Sequence, residues 1–154
     1  MRAITREVKQ KVLNGIDPVA QRQAKKELKE EKLFKNIIAD FLNKKQKEVS
    51  ETHFKKQKSR IENYILQELG NKLIDTITKR NIVKVIKSVP NIHTPNTKKS
   101  DKIETARRVF SLLREIYRFA LNNNYTEIDI TATATIDINV IFPKKKRIYT
   151  TFNR

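Results

Sequence analysis

Cysteine is absent from the 154 residues, which excludes disulfides, thiolate metal ligands and cysteine nucleophiles. Histidine occurs twice, at His53 and His93, forty residues apart, so no His-rich metal set exists and both read as surface residues. Glycine also occurs twice, at Gly15 and Gly70, which rules out a glycine-rich phosphate loop. No apolar run approaches the roughly 20 residues that span a bilayer. The N-terminus, Met1 to Leu13, is charged throughout and unlike a signal peptide. No spacing singles out paired carboxylates or a Ser-His-Asp set, and no cofactor is expected. A soluble, cytoplasmic, non-membrane protein is the expectation.

Positive charge is what the chain has in excess. Lys and Arg total 34 against 17 acidic residues, a formal charge of +17. The excess runs through the apolar-patterned middle of the chain as well as its ends, with 20 basic against 11 acidic side chains over residues 33–130. Such a charge favours a polyanionic partner, with nucleic acid foremost.

The few glycines and prolines fall at breaks in an all-α pattern. Arg2 to Leu13 reads as a short helix stopped by Asn14-Gly15, and Asp17-Pro18 as an N-cap with proline at the first helical position. A helix from Pro18 to about Lys32 is polar nearly all round, as a connector would be. Four amphipathic helices follow. The first, about 34–47, aligns Phe34, Ile37, Ile38, Phe41 and Leu42. Ser50 caps the second, with Phe54, Ile61, Ile65 and Leu69 inward and Gly70 as its stop. Thr78 caps the third, striped by Ile82, Val85, Ile86 and Val89 before Pro90. The longest, about Asp101 to Asn122, aligns Ile103, Ala106, Val109, Phe110, Leu113, Ile116, Tyr117 and Ala120. Beyond 130 the Thr-Ala alternation and the Lys144–Arg147 run read as an extended linker, although propensity equally allows a short strand.

Two faces are candidates for DNA contact. At 100° per residue, Arg107, Arg114 and Arg118 fall within about 40° of one another on the long helix, beside Ser111. On the Ser50-capped helix, Thr52, Lys55, Lys56, Ser59, Arg60 and Asn63 lie opposite the apolar side. Cations with short hydroxyl and amide side chains suit phosphate contact, and an asparagine can read a base edge. The competing reading is a solvated face with i, i+4 pairing, for which Glu104, Arg108 and Glu115 stand ready on the flank. Tyr64, Tyr117 and Phe119 read as core or core-edge aromatics.

Four passages, in order, resemble the phage integrases of the tyrosine recombinase family. Gly15-Ile16-Asp17-Pro18-Val19-Ala20-Gln21-Arg22 resembles the joint that closes an arm-binding domain. The run Phe34 to Leu42 is similar to the opening helix of the core-binding domain. Ile61 to Lys72 with Ile74-Asp75-Thr76-Ile77-Thr78 resembles the family's "helix, L-G, then I-x-x-I-T" passage, and Ala106 to Ala120 its last long helix. The resemblance covers about residues 12–150. It implies a SAM-like bundle of four core helices that forms half of a clamp on double-stranded DNA, the catalytic domain of the intact integrase being the other half. It further implies an end of an arm-binding domain and connector over 1–32, a core-binding domain over 33–130 and a linker over 131–154. The family's catalytic Arg, Lys, His-x-x-Arg box and tyrosine lie beyond such a linker. None of Tyr64, Tyr117, Tyr125 or Tyr149 stands in a matching context, so no catalytic residue is assigned and the chain is expected to be a non-enzymatic, monomeric, nucleoid-associated piece of a DNA breaking-rejoining enzyme. A basic helical RNA-binding or ribonucleoprotein module is the alternative, and a helical protein-interaction scaffold a third reading.

Overall fold

The computed structural model describes residues 15, 17–91 and 98–143. The helix expected over Arg2–Leu13, His93 and the Lys144–Arg147 run lie outside them. The described residues are all-α, with no strand beyond an isolated bridge between Leu33 and Leu73.

Helix α1, Pro18–Glu31, is capped by Asp17, whose side chain accepts from the Val19 amide at 3.0 Å, and it buries no residue. The polar periphery read from its sequence explains this, because it has no apolar stripe to bury. It meets the rest at its end, where Asn36 Nδ2 donates to the Glu30 carbonyl and Lys32 Nζ to Asp75. Helix α2, Phe34–Glu48, buries Phe34, Ile37, Ile38 and Phe41. A second rod then begins at the Ser50 cap with α3, Glu51–Arg60, continues through a π-helical turn, Ile61–Ile65, and ends in α4, Leu66–Leu69. Ile61, Ile65 and Leu69 are buried as the spacing predicts, whereas Phe54 is only half-buried. Gln57, four residues before Ile61 and hence on its face, is buried instead.

Gly70 ends this rod for a different reason from the one expected of a helix stop. Its φ is −54°, so no left-handed conformation requires glycine. A Cβ there would lie 2.5 Å from the Leu66 carbonyl oxygen, and Gly70's own carbonyl accepts from the Lys35 amide at 3.0 Å. Together with Phe34 N–H to Lys72 O at 2.9 Å, this close approach stitches α2 to the end of α4.

Helix α5, Lys79–Ser88, starts at Thr78 in a capping box with Asn81 and buries Ile82, Val85 and Ile86. Helix α6, Lys99–Asn122, starts two residues before the expected Asp101. It buries the stripe from Ala106 to Ala120 together with Leu112, which lies outside the stripe expected from spacing. These faces form one apolar core, in which each fully buried Ile or Leu contributes about 1.5–3 kcal/mol.

The extended segment expected from 131 is not what forms. Ile130–Thr133 and Ile138–Ile141 are single-turn helices, α7 and α8. Asp129 caps the first by accepting from the Thr131 and Ala132 amides, and Asp137 caps the second through the Asn139 amide. Ile130, Ile136, Ile138, Ile141 and Phe142, which flank and follow the Thr-Ala alternation, pack against the core and hold the segment on the bundle.

Candidate nucleic-acid interface

On α3 and the π-helical turn that continues it, Thr52, Lys55, Lys56, Ser59 and Asn63 are exposed, as the helical phase predicts, and Arg60 is partly covered. Lys55 pairs with Glu51 at 2.6 Å and Asn63 donates to Ser59 at 3.1 Å, so these side chains pre-order one another along the rod. Lys56 forms no ion pair among the described residues.

On α6, Ser111, Arg114 and Arg118 are exposed, and neither arginine forms an ion pair among the described residues. Arg107 departs from the expected free stripe. Its side chain is only 30% exposed, near Glu104 at 3.9 Å, and it donates to Asn139 Oδ1 at 3.4 Å. The physical cause is α8, which folds back onto the start of α6 where the sequence alone predicts an extended linker. Arg107 is therefore in part a structural tie. The same strap engages α5, since Lys79 Nζ donates to the Thr135 carbonyl at 2.8 Å.

Arg108 pairs on the flank of α6, as the helical phase predicts. It is 58% exposed and contacts Glu104 at 3.6 Å, on a helix that packs against the π-helical turn of the α3 rod. Burial, and then the charge of Arg108, push the Arg60 guanidinium below its ordinary range. Glu115 contacts Lys45 at 3.3 Å, and Glu62, on the π-helical turn, lies near Lys58 at 3.8 Å. The helices of the two candidate faces thus pack together with Arg60 in the field of Arg108, an electrostatic arginine–arginine seam.

The π-helical turn begins immediately after Arg60. Such turns insert an extra residue into the α-helical course and shift the phase of the residues beyond them. Here Ile61 and Ile65 stay in the core through the turn. Among the described residues, no group of three or more His, Cys, Asp or Glu side chains is placed to hold a metal. No helix among them is long and apolar enough to cross a membrane.

The stretch that holds both faces, residues 34–136, matches the phage integrase central domain. The chain belongs to the phage integrase family. The match opens on Phe34, the first residue of α2, and runs through α7 to Ile136, so the helices of the seam lie within this integrase domain. Comparisons with curated proteins and with solved structures found no match.

Proposed function

We propose that this integrase domain grips double-stranded DNA at a recombination site, laying α3 and α6 against the backbone as one half of a clamp. The other half is the catalytic domain of the intact tyrosine recombinase. In this reading the bundle is the SAM-like core-binding unit, α1 is the connector that precedes it, and the α7–α8 strap leads toward the catalytic domain. The chemistry of bond breaking belongs to that domain, and this chain contributes position and affinity.

The Arg60–Arg108 seam supports this reading most strongly. Like charges in one another's field repel, and a phosphate bound there would offset that repulsion through charge-assisted hydrogen bonds. Lys56 on one side and Arg114 and Arg118 on the other extend the positive surface, with Ser59, Ser111 and Asn63 as neutral hydrogen-bonding groups. Roughly 5 to 8 phosphate contacts give a log–log salt slope of about −4 to −7. Titration with duplex DNA and duplex RNA of matched length tests the proposal, because A-form RNA hides its major groove from a helix. Tighter binding of DNA with a slope in that range is expected. Equal or tighter binding of RNA favours a ribonucleoprotein role, and a slope near zero removes the interface.

A further inference from the structure

Contacts to phosphate position a protein on a duplex, whereas sequence is read by hydrogen-bonding groups that reach the edges of the bases. The neutral polar side chains of the two candidate faces are Thr52, Ser59, Asn63 and Ser111. Three of these are hydroxyls, which rotate to donate or accept and therefore discriminate poorly between bases. Asn63 alone among them carries a donor and an acceptor in one plane at a fixed spacing.

Asn63 stands at the centre of the π-helical turn, two residues from the buried Ile61 and two from the buried Ile65. The core thus anchors the backbone on both sides of it, while the Asn63 side chain is exposed. Its Nδ2 donates to the Ser59 hydroxyl at 3.1 Å, a contact that orders the amide before any partner arrives. One Nδ2 hydrogen is used in this way. The second hydrogen and the Oδ1 acceptor have no partner among the described residues. Residues three apart on a helix are surface neighbours, so a duplex whose phosphate is held at Arg60 runs beside Asn63.

We propose that Asn63 is a base-reading residue of this domain, its amide pairing with the N6 amino group and N7 of an adenine in the major groove. This rests on the reading that α3 lies against double-stranded DNA, and it adds the base that the rod prefers. A donor and an acceptor side by side match adenine, whose major-groove edge offers the N7 acceptor beside the N6 donor. Guanine offers two acceptors there, cytosine one donor, and thymine one acceptor with a methyl group, so each leaves part of the amide unpaired. The lysines and arginines of the same faces are cations without an acceptor and cannot make this distinction.

The test selects duplexes from a randomised library with the full chain and then titrates the enriched duplex and its single-base variants. The parent should enrich duplexes that share an adenine at one position, and replacing that adenine should weaken binding about tenfold. In Asn63→Ala the same replacements should matter by less than about twofold, whatever the overall affinity. 7-Deazaadenine, which lacks the N7 acceptor, should weaken the parent at that position and leave Asn63→Ala indifferent. Arg114→Ala is the comparison, expected to weaken all duplexes alike and to keep the adenine preference. An adenine preference retained in Asn63→Ala, or an equal 7-deazaadenine penalty in parent and variant, overturns the proposal. So does selection of no base with the salt slope intact, which leaves the DNA interface standing, whereas a flat salt slope removes the interface and this proposal together.

Discussion

The guanidinium of Arg107, on the third turn of α6, donates to the side-chain oxygen of Asn139, 32 residues further along, at 3.4 Å. This ties the strap of α7 and α8 to the helix that bears Arg114 and Arg118, and it gives the three arginines of one apparent stripe different work. Arg107→Ala should lower the unfolding free energy by up to about 1 kcal/mol, the range of one partly exposed hydrogen bond with a weak ion pair. Arg114→Ala and Arg118→Ala should stay within about 0.5 kcal/mol of the parent. Urea denaturation of the three variants reads the difference, and equal loss in all three would contradict the tie.

Gly70→Ala should destabilise by about 1–3 kcal/mol, because the added carbon would sit 2.5 Å from the Leu66 carbonyl oxygen. The neighbouring backbone bonds, Lys35 N–H to Gly70 O and Phe34 N–H to Lys72 O, would have to shift with it. Loss of amide-exchange protection at Phe34 and Lys35 in the variant, ahead of the α6 core, is the expected signature.

Tyr117 makes a prediction about alkaline stability. Its folded pKa lies above the unfolded value near 10, so its contribution is fully present below pH 10 and is lost as pH rises beyond it. The loss is at most about 1.4 kcal/mol per pH unit. Lys32, also raised in the folded state through its hydrogen bond to Asp75, acts in the same direction but is common to both proteins. Tyr117→Phe should therefore lose stability less steeply than the parent between about pH 10 and pH 11. Identical slopes in urea titrations would show that the phenol is not shielded.

The core helices were legible because their apolar residues recur at helical spacing, and Phe34, Ile61, Ile82 and Leu113 all lie where that spacing puts them. Leu112 was missed because a single wheel cannot say how wide a stripe its neighbours will cover, and α6 is packed on by several elements. Gln57 was missed because a polar side chain breaks the pattern it sits in, even though its amide reaches His53 at 3.0 Å. The strap was misread from its Thr-Ala alternation, although Asp129 and Asp137, each followed by isoleucine, were usable N-cap signals. Of the candidate site, the exposed positions on α3 were legible from phase alone. That Arg60 lies in the field of Arg108 was not, since it depends on which flank of α6 receives the rod.

The central claim is that α3 and α6 form one DNA-gripping surface joined at Arg60 and Arg108. It is tested most directly by anisotropy titrations of a labelled duplex across a range of salt. The proteins compared are the parent, Arg60→Ala, Arg108→Ala, Arg114→Ala, Arg118→Ala and, on α5, Lys87→Ala. Each arginine substitution should weaken binding by about 1 kcal/mol or somewhat more and reduce the salt slope by about one, while Lys87→Ala changes both only slightly. If Lys87→Ala costs as much as the arginines, or if Arg60→Ala and Arg108→Ala leave affinity and slope unchanged, the positive charge acts as a diffuse field and the seam does not hold phosphate.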